Sequence, residues 1–371
     1  AHHSANRSSR RRYNRLTEAH MMKYRLVLLA AGMTATAMLA RVGGQTRDVP
    51  PTTDLGITRV AGIKVGQLTL DTRPTGCTVI LAPANTVGAV DVRGGAPGTV
   101  ETDLLRPDEL VSTINAVVFA GGSAFGLAAR DGVMKYLEEQ KIGYAFGGAF
   151  VPIVSGAILF DLSVGDNPRV RPDAVCGYEA ATRATAGRVA EGSVGAGAGA
   201  TVGKFGGPGH AMKGGVGTTS MTLTDGLVVG VLVAVNASGS IVDPRTGKPV
   251  AGVRASDGKS LEDPFALVRR GVAPSGAGGN TTLGVIATNA RLTKAQALKV
   301  ASMAHDGIAR TIVPSHTMSD GDTIFALATG QVDADVNRVG VLAAEAMSDA
   351  ILRAVRLAKG LPGFPGVADL K

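Results

Sequence analysis

The segment Gly278-Gly279-Asn280-Thr281-Thr282 places a hydroxyl residue where a glycine-rich stretch meets an apolar one. A threonine hydroxyl is a weak nucleophile unless a base lies beside it. The α-amino group of the same residue, with an ordinary pKa of about 7.7–8.0, can be that base. This amino group exists only after the Asn280–Thr281 bond is cut, and attack of the threonine hydroxyl on the Asn280 carbonyl would cut it. Taken alone, the segment also fits an ordinary strand start, because threonine favours strands.

Further polar residues could act with this threonine. Asp320-Gly321-Asp322 puts two carboxylates before an apolar run, where they could orient an ammonium group and hold a hydroxyl proton. The alternative for this segment is a turn, in which Asp-Gly is common. Asn236 ends an apolar run and could donate to an oxyanion, or simply cap a strand end. Lys204 follows a glycine-rich stretch, and a solvated loop lysine is its alternative.

The elements that must position these residues alternate between strand and helix patterns. Period-2 or short apolar runs predict strands at residues 62–70, 78–82, 116–120, 227–235, 281–288 and 323–328. Helical patterns cover residues 127–140, 172–188, 293–310 and 336–359. Residues 192–200 are so rich in glycine that another backbone must come close, and residues 252–278 are predicted to be a mobile surface linker. The mixture predicts a layered α+β fold with a sheet-on-sheet core.

Composition and charge narrow the function classes. Hydrophobic residues make up 45% of the chain and charged residues 18%, which is typical of a globular protein. Residues 1–37 carry a net charge of +6 out of the total of +8, so the rest of the chain is close to neutral. With aromatic residues at 4%, this distribution argues against nucleic-acid binding.

The first 40 residues are interpreted as a basic leader that contains a signal peptide. Basic residues around Lys23 and Arg25 precede an apolar run from Leu26 to Ala40, and Ala35-Thr36-Ala37 supplies a small-x-small cleavage pattern. An exported, periplasmic protein is therefore expected, without stable membrane association once the leader is removed. The alternatives are an uncleaved anchor or a wrongly assigned start site, the latter giving a cytoplasmic protein.

The cysteines and histidines show no metal-ligand spacing. Cys77 and Cys176 are predicted to be two buried thiols, with a single disulfide bridge as the alternative. His210, His305 and His316, the histidines beyond the leader, are scattered along the chain.

Residues 55 to about 358 resemble the DmpA-type aminopeptidases, the L-aminopeptidase/D-esterase family. The match is closer to the branch that contains nylon-oligomer hydrolase. The matching stretches are Asp91–Thr99, Glu101–Asp103, Gly121–Leu127, Val151–Val154, Phe160–Leu162, Lys213–Gly217, Asn280–Ala290, Met303–Gly307 and Asp320–Asp322. Several motifs in the same order carry the resemblance together.

The resemblance implies self-cleavage into two chains of one hydrolase domain, residues 41–280 and 281–371. It implies that Thr281 is the N-terminal nucleophile, where the main aminopeptidase branch has serine. Asp320 and Asp322 match the acidic pair of the nylon-hydrolase branch. Lys204 and Asn236 match its lysine and asparagine, and Lys213 is a rival for the lysine role.

The resemblance further implies a four-layer αββα sandwich, similar in geometry to N-terminal-nucleophile hydrolases. It implies assembly into tetramers or larger oligomers, and no metal or organic cofactor. The expected activity is hydrolysis of amide bonds in small peptides, amino-acid amides or esters, or amide oligomers, and an aminopeptidase is the first expectation. The alternatives are an acyltransferase related to ornithine acetyltransferase, and a catalytically inactive secreted binding protein.

Overall fold

The computed structural model describes residues 55–207, 209–272 and 279–370 of the chain. The strands are β1 (Lys64–Thr69), β2 (Gly76–Leu81), β3 (Val87–Val92), β4 (Thr99–Val100), β5 (Ala116–Ala120), β6 (Tyr144–Phe146), β7 (Ala149–Val151), β8 (Val154–Ile158), β9 (Thr201–Val202), β10 (Met212–Lys213), β11 (Gly215–Thr222), β12 (Val228–Asn236), β13 (Ser240–Asp243), β14 (Lys248–Ala251), β15 (Thr281–Ala290), β16 (Ile312–Val313) and β17 (Thr323–Val332). The α-helices are α1 (Ala129–Glu139), α2 (Ala174–Thr182), α3 (Pro264–Arg269), α4 (Lys294–Thr311) and α5 (Val336–Arg356). Short 3-10 helices cover Gly56–Arg59, Asp103–Leu105, Ser123–Ala128, Gly195–Gly197, Lys204–Gly206 and Val367–Leu370.

Two five-stranded sheets form the centre of the fold. The strand order is β1-β2-β5-β8-β4 in the first sheet and β11-β12-β15-β17-β3 in the second. Each sheet has one parallel pair, β5 with β8 and β15 with β17, and its other neighbours are antiparallel. Because parallel neighbours need a long crossover, a segment with α1 joins the first pair and a segment with α4 joins the second.

The two sheets face each other across an apolar core. Side chains of a strand alternate between its faces, so every second residue of β5 points inward. Phe119 of β5 is fully buried there and lies 6.1 Å, between ring centroids, from Phe325 of β17. Leu232 of β12 and Val285 of β15 belong to the same cluster. Burial of these large side chains away from water holds the two sheets together.

The outer face of each sheet is covered by two helices. α1 and α2 lie on the first sheet through a cluster that includes Val118, Val133 and Ala180. α4 and α5 lie on the second sheet through a cluster that includes Ile286 and Met347. The layer order is helix, sheet, sheet, helix, so the predicted α+β class and the αββα sandwich are confirmed.

The glycine-rich stretch of residues 192–200 packs backbone against backbone, as predicted. A Cβ atom built at Gly197 would lie 2.5 Å from the backbone nitrogen of Val216, and one at Gly199 would lie 2.3 Å from the carbonyl oxygen of Pro74. Both distances are too short for a side chain, so glycine is required at these two positions. From this stretch the chain passes through β9 to Lys204, which lies beside the end of β12.

The linker prediction for residues 252–278 is wrong over part of its length. Residues 264–269 form α3, whose first turn contains Pro264 and whose N-terminus is capped by the carboxylate of Asp263. An acidic cap followed by proline is a helix-start signal. The helix was missed because six residues are too few to show a helical period. Residues 273–278 lie outside the described residues.

The predicted leader also lies outside the described residues. No helix within the described ranges is both long enough and apolar enough to span a bilayer.

The prediction of two free thiols is wrong, because Cys77 and Cys176 form a disulfide bridge. The bridge joins β2 to α2, with a Cα–Cα distance of 6.3 Å and a sequence separation of 99 residues. Sequence spacing carries no information on this pairing, which depends on α2 being placed over β2. The bridge ties the outer helical layer to the first sheet, where both sulfur-bearing residues are buried.

We expect removal of this bridge to lower the free energy of unfolding by about 2–4 kcal/mol, because a cross-link across a loop of this length restricts the unfolded chain. The double variant Cys77→Ala/Cys176→Ala should therefore unfold at a lower urea concentration than the wild type. Wild-type protein unfolded in the presence of dithiothreitol should match the variant, whereas the variant itself should not respond to dithiothreitol. Equal midpoints for all samples would show that the bridge does not contribute to stability.

Candidate active site

Three strands of the second sheet bring the predicted site residues to one edge. β12 ends at Asn236, and in the antiparallel pairing with β15 this residue lies opposite Thr281. β15 and β17 are parallel, so the residues just before both strands meet at the same edge, where a bridge pairs Asn280 with Asp320. The sheet register therefore assembles residues that are far apart in sequence.

The Asn280–Thr281 peptide bond is buried and closely surrounded. The Thr281 hydroxyl donates a hydrogen bond of 2.5 Å to the carbonyl oxygen of Asn280. The backbone N–H of Gly321 donates to the same oxygen at 2.8 Å. The Asn280 side chain amide lies 3.3 Å from the hydroxyl of Ser319. The carbonyl is thus polarised by a backbone N–H while a hydroxyl lies against it.

Lys204 and Asn236 contact the residue one position further back. The Lys204 ammonium donates to the backbone oxygen of Asn236 at 2.8 Å, to its Oδ1 at 2.9 Å and to the carbonyl oxygen of Gly279 at 2.9 Å. The Asn236 Nδ2 donates to the carbonyl oxygen of Phe160 at 2.9 Å and to that of Gly279 at 3.4 Å. Asn236 is held in place by the backbone N–H of Thr201, which donates to Oδ1. Both side chains therefore aim donors at the chain that precedes Thr281.

The rival lysine lies elsewhere. The Lys213 ammonium donates to the carbonyl oxygens of Gly197, Ala200 and Gly214 at 2.8–2.9 Å. Burial lowers the pKa of Lys213 to about 7. Gly197 and Ala200 belong to the glycine-rich stretch, and Gly214 directly follows Lys213. Lys213 therefore holds this backbone in place, which is a structural role. Lys204, and not Lys213, is the lysine that contacts Asn236 and Gly279.

The two carboxylates are tied to the chain around the nucleophile candidate. Asp320 Oδ2 accepts from the backbone N–H of Thr317 at 2.8 Å and from its hydroxyl at 2.6 Å. Asp322 Oδ1 accepts from the backbone N–H of Thr282 at 2.7 Å, and Oδ2 accepts from His316. Burial and the neighbouring charge of Asp322 raise the pKa of Asp320. In the uncut chain neither carboxylate is hydrogen-bonded to the nucleophile candidate.

A glycine-containing loop after β3 encloses the acidic turn. The backbone N–H groups of Arg93 and Gly94 donate to the carbonyl oxygen of Asp322, and that of Ala96 donates to the carbonyl oxygen of Asp320. A Cβ atom at Gly94 would lie 2.2 Å from the Asp320 oxygen. Glycine is required there because the two backbones touch. The loop belongs to the stretch that carried the family resemblance, and its structural task is to hold the acidic turn.

Sequence reasoning missed the residues that hold the two carboxylates, namely Thr317 and His316. His316 was considered only as a metal ligand and set aside. Its position four residues before Asp320 is a signal that could have been used, because functional residues are disproportionately found on loops. Within the described ranges, no group of three or more His, Cys, Asp and Glu residues is arranged to hold a metal ion.

The sandwich and the composition of this site define a class of protein, a hydrolase with the N-terminal-nucleophile type of fold. The model of peptidase family S58 matches residues 56–368, and the chain belongs to this family. The DmpA-type resemblance stated from the sequence is therefore confirmed.

Individual relatives agree with this assignment. An uncharacterized aminopeptidase of Mycobacterium bovis is 46% identical over 344 residues, which cover 85% of this chain and 97% of the relative. A 6-aminohexanoate-oligomer endohydrolase of an Agromyces species is 33% identical, with 79% of this chain and 84% of the relative covered. The structure of a beta-aminopeptidase from a Burkholderia species superposes with a TM-score of 0.64 at 25% identity, covering 86% of this chain and 93% of that one. The L-aminopeptidase D-Ala-esterase/amidase of Ochrobactrum anthropi has the same fold, with a TM-score of 0.64 at 19% identity, covering 85% and 91%.

Proposed function

We propose that this S58 hydrolase cuts its own Asn280–Thr281 bond and then uses Thr281 as an N-terminal nucleophile against small amide substrates. The observation that carries the proposal is the geometry of the uncut bond. The Thr281 hydroxyl and the Gly321 N–H both bind the Asn280 carbonyl oxygen. A buried hydroxyl beside a polarised carbonyl is the arrangement that self-cleavage requires.

Self-cleavage would proceed by an acyl shift followed by hydrolysis. The Thr281 oxygen bonds to the Asn280 carbonyl carbon, the C–N bond breaks, and the hydroxyl proton passes to the departing nitrogen. The product is an ester between Asn280 and Thr281 with a free α-amino group. Water then adds to the ester carbonyl, which releases the Asn280 carboxylate and restores the threonine hydroxyl.

The uncut segment would act as an internal stand-in for the substrate. Lys204 and Asn236 hold the carbonyl oxygen of Gly279 in the uncut chain. When the new C-terminus leaves, both donors lose the Gly279 oxygen while keeping their other acceptors, and the vacated position becomes available to an incoming carbonyl. This supports a role for both side chains in stabilising the oxyanion during turnover.

Turnover would use the new amino group of Thr281 as the base. The amine takes the hydroxyl proton, the threonine oxygen attacks the substrate carbonyl, and the leaving amine departs with a proton. Water hydrolyses the resulting acyl-enzyme ester. Asp320 and Asp322 would position the amine and the hydroxyl, since the Asp322 carboxylate accepts from the backbone N–H of Thr282 and a backbone bridge pairs Asp320 with Asn280.

The proposed substrates are small peptides, amino-acid amides or esters, and amide oligomers. The relatives named as aminopeptidases and as a 6-aminohexanoate-oligomer endohydrolase support this range. An acyltransferase would instead pass the acyl group to an amine. Product analysis with and without an added amine acceptor separates transfer from hydrolysis.

The decisive experiment is the intact mass of the purified protein under denaturing conditions, with N-terminal sequencing of each fragment. The proposal expects two chains, the smaller beginning Thr281-Thr282-Leu283. A single chain with an intact Asn280–Thr281 bond after prolonged incubation would contradict it and favour an inactive binding protein.

We expect self-cleavage to slow as the pH rises through about 7. Burial lowers the pKa of Lys204 to about 7, while the carboxylates of Asp320, Asp161 and Asp322 act in the opposite direction. Below this pH the lysine is an ammonium with three N–H donors for its three oxygen acceptors, and above it the neutral amine has only two donors. The neutral amine therefore holds the segment before Thr281 less firmly. The decrease should be visible in the rate of precursor disappearance on both sides of pH 7.

The matched control is Lys204→Met, which should cleave slowly and without this pH limb. A wild-type rate that rises steadily through neutral pH, in parallel with the variant, would contradict the role of the ammonium.

Export and assembly are part of the proposal. The disulfide bridge supports an oxidising, extracytoplasmic location, because such bridges persist there. The hairpin of β6 and β7 exposes Tyr144, Phe146 and Val151, and exposed apolar side chains of this kind support an interface between copies of the chain, which we propose to assemble as a homotetramer. Light scattering of the purified protein would test the assembly, and fractionation of the producing cells would test the location.

A further inference from the structure

His316 binds one oxygen of Asp322 twice. Its backbone N–H donates to Asp322 Oδ2 at 3.0 Å, and its Nδ1 lies 2.8 Å from the same oxygen. This double contact uses a left-handed backbone conformation, with φ of 55° at His316. Such a conformation is uncommon for a residue other than glycine, and it persists where the surroundings demand it. The short loop between β16 and β17 is therefore shaped around this carboxylate.

The other oxygen of Asp322 reaches the start of β15. Oδ1 accepts from the backbone N–H of Thr282, the residue after the nucleophile candidate, at 2.7 Å. Both oxygens are thus engaged, one by the loop and one by the strand. For the His316 ring to donate to this carboxylate, its proton must lie on Nδ1.

The histidine is itself packed against a second one. The ring of His305 in α4 lies edge-on to that of His316, with 4.8 Å between centroids. His305 is in turn fixed by the carbonyl oxygen of Asp91 in β3, 3.1 Å from its Nε2. The His316 ring therefore has support from a helix and a neighbouring strand.

We propose that His316 is a positioning residue that orients Asp322 for self-cleavage and turnover, an inference that rests on the proposed function. Without Nδ1, Asp322 would keep its contacts to the two backbone N–H groups but lose the side-chain donor that fixes the rotation of the carboxylate. Displacement of a catalytic group by about 1 Å can slow a reaction by roughly 100-fold.

The test compares His316→Gly with His316→Asn. Both glycine and asparagine accept positive φ, so neither variant strains the loop. Glycine removes the side-chain donor, whereas the asparagine amide can place an N–H close to the position of Nδ1. We expect His316→Gly to slow self-cleavage by about 10- to 100-fold and His316→Asn to cleave at close to the wild-type rate.

Two further measurements separate positioning from folding. Thermal unfolding should give similar transitions for both variants. After complete cleavage, turnover of L-alanine p-nitroanilide should show a lower kcat for His316→Gly with little change in KM, since His316 is not proposed to touch the substrate. His210→Leu, which removes another Nδ1 contact, to the carbonyl oxygen of Arg254, is the histidine control and should cleave normally.

The outcomes distinguish the two proposals. A wild-type chain that stays uncut overturns the proposed function and this role with it. A wild type that cleaves while His316→Gly cleaves equally fast overturns the role of His316 alone. Equal slowing of the glycine and asparagine variants also overturns it, because the donor would then not be what matters.

Discussion

Replacing Thr281 with alanine should leave the chain uncut and without amide-hydrolysing activity. The variant lacks the oxygen that would attack Asn280 and the substrate carbonyl, and loss of a nucleophile of this kind lowers turnover by about 10⁴-fold or more. Mass spectrometry of the denatured protein should give one chain that spans the Asn280–Thr281 bond. Activity toward L-alanine p-nitroanilide should fall to the rate of the background reaction.

Two variants control this experiment. Thr281→Ser keeps a hydroxyl at the same place and should still be processed, since the main aminopeptidase branch of the DmpA-type family has serine there. Thr311→Val removes a buried hydroxyl that has no hydrogen-bond partner among the described residues, and it should be cut normally. A Thr281→Ala chain that still separates into two fragments would show that another group cuts the bond.

Replacing Arg73 with methionine should lower the free energy of unfolding by about 3–5 kcal/mol, because it leaves the buried Asp161 carboxylate without its ionic partner. The two side chains are fully buried and lie 2.8 Å apart. Arg73 also donates to the carbonyl oxygens of Val164 and Val170, and Asp161 accepts from Thr75 and from the backbone N–H of Gly122. Urea denaturation of the two proteins would measure the difference.

The loss of the Arg73 side chain should also affect the candidate active site. Asp161 follows Phe160, whose carbonyl oxygen accepts the Nδ2 of Asn236. A displaced Asp161 would therefore disturb the donor proposed for the oxyanion, and self-cleavage should slow together with the loss of stability. Arg183→Met is the matched control, because Arg183 pairs with Glu179 on the exposed surface and should change the unfolding midpoint little. Equal destabilisation by the two variants would show that the buried Arg73 pair contributes no more to the free energy of unfolding than the exposed Arg183 pair.

Local patterns in the sequence were sufficient for part of the two central sheets, whereas β3, β8 and β11 were not predicted, because glycines interrupt their apolar patterns. The apolar runs at β5, β12, β15 and β17 predicted strands, because burial between two layers imposes a continuous apolar face. The helical pattern of residues 293–310 predicted α4, and a capping box of Thr293 and Gln296 starts that helix, with both of its hydrogen bonds present. These features depend on neighbours within a few residues, so the sequence states them directly.

The site could be named from the sequence, but its contacts could not. Several motifs in family order pointed to Thr281, Asp320, Asp322, Asn236 and Lys204, and the structure brings these residues to one sheet edge. Their roles remain predictions, to be tested by the variants described above. Neither the choice between Lys204 and Lys213 nor the contact of Asp322 with His316 follows from spacing.

What the sequence by itself determined was six of the ten strands of the two central sheets, the four longer helices, the basic and apolar pattern of the first 40 residues and the threonine at the Asn280–Thr281 junction. Each of these depends on adjacent residues. The tertiary structure alone decided the Cys77–Cys176 bridge, the lysine beside Gly279 and the Arg73–Asp161 pair. Each of these contacts joins residues that are 75 to 99 positions apart and depends on how separate elements pack. Such pairings are set by the register of strands and the placement of helices, which local propensity does not encode.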